Sequence, residues 1–133
     1  MGPVIAMRVI GTSHKLTPPS QLQRAVAGKQ EIFAHLLSLQ ATHKIQGAIL
    51  LATCNRLEII LDSPSSTDDQ DLLEPALREH SNINLHTFDG QEATHYLLRV
   101  ATGLDSMVQG EEQVLGQLRE AFKTSEEHGL LSP

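Results

Sequence analysis

Two short apolar runs, residues 47–52 and 57–61, are separated only by Thr53-Cys54-Asn55-Arg56. Runs of this length, the second with β-branched Ile59 and Ile60, read as buried strands. So few intervening residues allow only a tight connection, which joins antiparallel strands and never parallel ones. The rest of the chain must therefore pack around a hairpin. The only cysteine of the 133 residues lies in its turn, where functional groups are exposed on a rigid base.

Residues 4–11 are apolar and β-branched, end at Gly11 and predict a first strand. Thr17-Pro18-Pro19 breaks the chain, and Ser20 is placed to cap a helix. Residues 21–27 and 30–40 predict two short helices divided by Gly28. The second carries Ile32, Phe33, Leu36 and Leu37 at helical spacing. Residues 63–70 are rich in Ser, Pro and Asp and read as loop. Residues 71–80 predict a modest helix with Pro75 awkward inside it. A weak fourth strand over 83–88 ends at Asp89-Gly90.

The order β-α-β-β-α-β is the split arrangement of a ferredoxin-like sandwich, in the α+β class. Beyond Gly90 the pattern turns helical. Residues 91–101 carry Ala93, Leu97, Val100 and Ala101. A short segment over 104–108 comes next. Residues 111–127 carry Val114, Leu115, Leu118, Ala121 and Phe122 at i, i+3/i+4 spacing, behind an acidic opening that suits the helix dipole. The expectation is one domain, with a ferredoxin-like core over 1–90 and a helical extension over 91–133.

Composition narrows the function. The net charge is −6 and no dense Lys/Arg run exists, which argues against a stand-alone, charge-driven nucleic-acid binder. A single cysteine excludes an intramolecular disulfide and a Cys-based metal site. The His residues form no HxxxH or HxH cluster, so no metal is expected. No apolar stretch approaches the roughly 20 residues of a membrane span, and no signal peptide is visible. Ala6 stands where a myristoylation signal needs Ser or Thr. A cytoplasmic protein is expected, and Met7 offers a second natural start.

A free cysteine is often just a small buried hydrophobe. Here Thr53, Asn55 and Arg56 surround it, and a neighbouring guanidinium favours a thiolate. Cys54 therefore stands as a candidate nucleophile beside a carboxylate-binding cation. His14 either lines a cleft at the strand ends or is a surface turn residue, and the turn is the simpler reading. His95 and Tyr96 are about 100° apart on a helix, so at most one faces the pocket of Cys54. In 103–117, Ser106 and Gln113 could hydrogen-bond a polar ligand, although a helix break with a solvated face explains them as well. No strand leads into a Gly-rich nucleotide loop.

Three segments together resemble glutamyl-tRNA reductase. They are Ser13-His14-Lys15 with Pro18 after it, Thr53-Cys54-Asn55-Arg56-x-Glu58, and Leu98-Arg99-Val100-Ala101-Thr102-Gly103-Leu104-Asp105-Ser106 continuing into Gly110-Glu111-x-Gln113-Val114-Leu115-Gly116-Gln117. The likeness runs from about Met7 to Glu127 and covers the catalytic domain. The spinal helix, the NADPH-binding Rossmann domain and the dimerisation domain of such enzymes have no counterpart in this sequence.

The resemblance implies that Cys54 attacks the ester of glutamyl-tRNA to form a thioester. NADPH, bound by a domain absent from this chain, then yields glutamate-1-semialdehyde for tetrapyrrole (porphyrin) biosynthesis. It implies that Arg56 holds the substrate's side-chain carboxylate, and that Thr53, Asn55, Ser106 and Gln113 line the glutamate pocket. It also implies a homodimer through the missing domain, and the downstream aminomutase as a partner.

The sequence departs from the family pattern in places. Tyr96 stands where the family has a histidine expected to assist acid–base steps, with His95 one residue earlier. The His14-Lys15-Leu16-Thr17-Pro18 run and Gln109 also differ. By itself this chain is expected to support ester cleavage at most. Two rivals remain: a non-catalytic module of the same fold that binds an amino acid or tRNA end, which Tyr96 favours, and a thiol esterase.

Overall fold

A computed structural model describes residues 6–63, 69–101 and 114–131. In chain order they form β1 (Ala6–Ser13), α1 (Pro19–Ala27), α2 (Lys29–Ala41), β2 (Gly47–Thr53), β3 (Arg56–Ser63), α3 (Asp69–Leu77), β4 (His86–Asp89), α4 (Gly90–Ala101) and α5 (Val114–Glu127). The strands make one sheet in the order β2-β3-β1-β4, antiparallel throughout. The hairpin has a two-residue turn: Thr53 pairs with Arg56, leaving Cys54 and Asn55 at the tip.

Strand alternation sorts the side chains onto two covered faces. On one, Ile10, Leu57, Ile59 and Leu61 pack with Leu22, Ile32, Leu36, Leu73 and Leu77 from α1, α2 and α3. On the other, Val9, Ile60 and Phe88 pack with Ala93, Tyr96 and Val100 from α4. The exposed edge of β2 is closed by the residues after α5. Ala48 N–H donates to Leu130 O at 2.9 Å. Gln40 Nε2 ties that segment down through Gly129 O at 2.8 Å. Such cover removes an unpaired sheet edge.

Several elements differ from expectation. β1 runs on to Ser13 because Thr12 and Ser13 continue the ladder opposite Leu57 and Arg56. Helix α1 starts at Pro19 with Pro18 as N-cap, so Ser20 lies inside its first turn. Proline's fixed φ suits the first helical position. Helix α3 starts at Asp69, earlier than expected, and continues through Pro75 to Leu77. Burial of Leu73 and Leu77 one turn apart compensates the missing bond. β4 begins only at His86, because Asn84 is captured elsewhere. Its N–H donates to Thr17 Oγ1 at 3.1 Å and its Nδ2 to Leu16 O at 2.8 Å. The segment over 104–108 and the acidic opening at Glu111 and Glu112 lie outside the described residues.

Gly11 marks a close approach between strands. A Cβ there would sit 2.6 Å from Glu58 Cα, and closer still to the Leu57 carbonyl oxygen. These are backbone atoms and cannot swing aside. Gly11→Ala is therefore expected to destabilise by about 1–3 kcal/mol, the usual cost of overpacking, measured as a fall in the urea midpoint.

After α3, His80 hydrogen-bonds Glu31 of α2. That bond is the largest cause of a raised His80 pKa; desolvation opposes it, and the charges of Glu31 and Glu79 add to the rise. A raised folded-state pKa means a stabilisation present in full below the unfolded value, about 6.5, and lost as pH rises through the folded value. His80→Gln should therefore lower Tm slightly near pH 6, and the difference should shrink toward about pH 8.

Candidate active site

Two rows of side chains cross the sheet on the face that α4 covers. Nearer the hairpin tip, Thr53, Arg56 and Ser13 stand side by side. The next row is Leu51, Glu58, Gly11 and His86. Glu58 and His86 are two strands apart, about 10 Å between backbones. Gly11 has no side chain to stand between them, so His86 Nε2 reaches Glu58 Oε2 at 2.7 Å.

Arg56 Nη1 donates to Glu58 Oε1 at 3.0 Å and to the Tyr96 hydroxyl at 3.0 Å. The Tyr96 hydroxyl donates in turn to Glu58 Oε2 at 2.5 Å. Residues Arg56, Glu58 and Tyr96 are 0%, 1% and 3% exposed. The His86 side chain, at 17%, is the member of the quartet that reaches solvent. Tyr96 is fixed by its rings as well. It stacks on Phe88 at 4.2 Å between centroids and meets the His86 edge at 5.2 Å. Each contact limits the rotation of a phenol whose hydroxyl bridges a cation and a carboxylate.

Above this quartet is the hairpin tip. Cys54 is exposed. Thr53 is buried, and its Oγ1 accepts the Asn55 N–H at 3.1 Å. The loop after β1 braces the turn from the side. The His14 N–H donates to Asn55 O at 2.8 Å, and His14 Nδ1 lies 3.4 Å from the same oxygen. Thr17, farther along that loop, shares a hydroxyl bond of 2.7 Å with Thr12 of β1. The thiol therefore stands on a turn held from within by Thr53 and from one side by His14.

Of the residues expected at a site, Cys54, Thr53, Asn55 and Arg56 share one hairpin, and Tyr96 joins them through Arg56. His95 is exposed on α4, while Tyr96 beside it is buried. Ser106 and Gln113 lie outside the described residues. The Arg56 guanidinium is not presented to solvent as the sequence reading implied; it is engaged with a buried carboxylate and a phenol. Sequence reasoning missed His86 and the ion pair of Glu58 altogether. The available signal was period-two spacing: Arg56 and Glu58 share a face at the start of a strand that continues through Ile59, Ile60 and Leu61, as His86 and Phe88 share one on β4.

The family described as glutamyl-tRNAGlu reductase, N-terminal domain, matches residues 10–133. Glutamyl-tRNA reductase of Solibacter usitatus is 36% identical over 92% of this chain and 31% of its own length. The enzyme of Stenotrophomonas maltophilia is 38% identical over 92% of this chain and 29% of its own. The chain thus spans under a third of the reductases it matches. The solved glutamyl-tRNA reductase from Methanopyrus kandleri superposes with a TM-score of 0.74 at 25% identity, over 95% of this chain and 29% of that one. By sequence and by fold, the chain belongs to the N-terminal-domain family of glutamyl-tRNA reductase.

Proposed function

We propose that this chain is the catalytic domain of a glutamyl-tRNA reductase and that Cys54 forms a thioester with the glutamyl group. The observation that carries this reading is the exposed Cys54 thiol on a braced hairpin whose base holds Arg56. The Cys54 thiolate attacks the ester carbonyl carbon. The bond from that carbon to the tRNA ribose oxygen breaks, the oxygen takes a proton, and tRNA leaves. Arg56 takes the side-chain carboxylate of the glutamyl group, sharing its guanidinium with Glu58. Thr53 and Asn55 shape the turn, and Ser106 and Gln113 are further candidates for substrate contact.

In a complete reductase NADPH supplies the hydride that turns such a thioester into an aldehyde. Among the described residues no junction from strand to helix offers a Gly-rich phosphate cradle. β1 enters α1 through Ser13-His14-Lys15-Leu16-Thr17-Pro18. The part of the reaction proposed for this chain is acyl transfer to Cys54. The strand order β2-β3-β1-β4 supports reading residues 1–90 as ferredoxin-like, with 91–133 as a helical addition.

The test is ester cleavage of one tRNA carrying either glutamate or glutamine. A carboxylate-reading Arg56 predicts a preference for glutamate of at least about 10²-fold. Equal rates would contradict it.

Tyr96 favours a second reading, a binding module without chemistry, since a phenol is a poor base at neutral pH. Ester cleavage itself separates the readings, and the two residues on α4 test which side chain serves it. Tyr96→Phe removes the hydroxyl that bridges Arg56 and Glu58, whereas His95→Ala changes an exposed position. Tyr96→Phe should therefore impair ester cleavage about tenfold or more, and His95→Ala by less. The reverse ranking would put His95 at the chemistry.

A further inference from the structure

We propose that a groove along the edge of β2 holds the terminal adenosine of the tRNA, with the base stacked against Phe33. This rests on the role proposed for Cys54.

The ester itself sets the distance. The carbonyl carbon that Cys54 attacks is bonded to an oxygen of the terminal ribose, so the base lies one ribose away from the reacting carbon. The glutamyl side of the ester belongs to the α4 face of the sheet, where Thr53 and Arg56 project. The nucleoside must leave the hairpin in another direction.

One direction is shaped to receive it. Between β2, α2 and α5 is a groove of about 870 Å³, within the size range of small-ligand sites. β2 lines it from Leu50 to Ala52, and Ala52 is two residues from Cys54. Leu50 and Cys54 are about 13 Å apart along the strand, a span that ribose and purine together can bridge. Phe33 of α2 and His128 also line the groove, their rings edge to face at 5.2 Å. His128 lies two residues before Leu130, which pairs with Ala48, so this aromatic corner is at the end away from the tip. An aromatic surface one nucleoside from the reacting thiol is what a stacked base needs.

Gly116 gives the second observation. Glycine is a poor helix former, yet this one stands in the first turn of α5 and lines the groove. A Cβ there would meet nothing within 4 Å, so no packing among the described residues requires the glycine. The room it leaves opens into the groove. The polar groups suit a nucleoside as well. Gln30 and Gln117 carry amides, which offer donors and acceptors as the edge of adenine does. Lys29 stands on the α2 wall and Glu120 on the α5 wall, which directs the nucleotide's phosphate toward α2. Holding one nucleoside by stacking also fits a chain of net charge −6, which lacks the dense basic run of a charge-driven binder.

The test is cleavage of two small esters by the parent chain: glutamate esterified to the ribose of adenosine, and the same ester on a ribose without a base. Stacking predicts that kcat/KM is about tenfold or more higher for the adenosine ester. In Gly116→Leu the new side chain grows into the groove, and that ratio should fall toward one. Leucine is a better helix former than glycine, so the helix is kept. Gly116→Ala fills little of the space and should retain most of the ratio. Equal rates on the two esters in the parent would overturn the proposal. So would a ratio that survives Gly116→Leu, which would leave the groove to a segment of the chain or to solvent.

Photolabelling of the parent needs no variant to fold. An azido derivative of adenosine monophosphate should mark the peptides carrying Phe33 or Gly116, with protection by excess adenosine monophosphate; no saturable label on those peptides overturns the proposal. If cleavage of both esters persists unchanged in Cys54→Ser, the functional reading falls and the role of the groove with it. If cleavage depends on Cys54 but not on the base, only the role of the groove falls.

Discussion

Cys54→Ser is expected to lower glutamyl-tRNA ester cleavage by about 10³-fold or more. A hydroxyl at that position is far less ionised than a thiol at neutral pH. The side chain is exposed at a turn, so the replacement removes no core contact. Stability should therefore stay within about 0.5 kcal/mol of the parent. Rapid-quench assays on an intact, folded protein separate lost chemistry from lost structure. Unchanged cleavage would remove Cys54 from the mechanism.

Glu58→Ala is expected to cost about 3–5 kcal/mol of folding stability, because it leaves Arg56 buried without its carboxylate. Arg56→Ala should cost a similar amount by stranding Glu58. Replacing both together by apolar residues of similar volume, Arg56→Met with Glu58→Leu, should recover much of the loss, since it leaves no uncompensated charge. The two classes also separate stability from binding. The double variant should fold yet lose its preference for glutamate over glutamine. Urea midpoints of the three proteins check this. A loss below about 1 kcal/mol in Glu58→Ala would mean that the pair is solvated and not part of a buried site.

The hairpin was legible because its evidence is local. Two apolar runs and a polar gap fix an antiparallel pair with Cys54 at the tip, without reference to the rest of the chain. The helices α1, α2 and α4 were legible for the same reason, through spacing such as Ile32, Phe33, Leu36 and Leu37. The Arg56–Glu58–Tyr96–His86 quartet was not. It depends on β1 lying between β3 and β4, and on Gly11 falling opposite both Glu58 and His86. That register joins residues far apart in sequence, and no local periodicity encodes it. Ending a strand at Gly11 was a natural reading of a turn-forming residue. In the structure the glycine is mid-strand, where it makes room for two neighbours to meet. The short β4 has a similar origin, since Thr17, distant in sequence, captures Asn84.

The central claim, that the glutamyl group is transferred to Cys54, is tested most directly by intact-protein mass spectrometry. Glutamyl-tRNA is mixed with the chain, quenched in acid within the first turnover, and the protein is digested and mapped. The account predicts a mass gain of one glutamyl residue, located on the peptide containing Cys54, labile to hydroxylamine and absent from Cys54→Ser. Cleavage of glutamyl-tRNA with no adduct at any quench time, or an adduct on another residue, would contradict it.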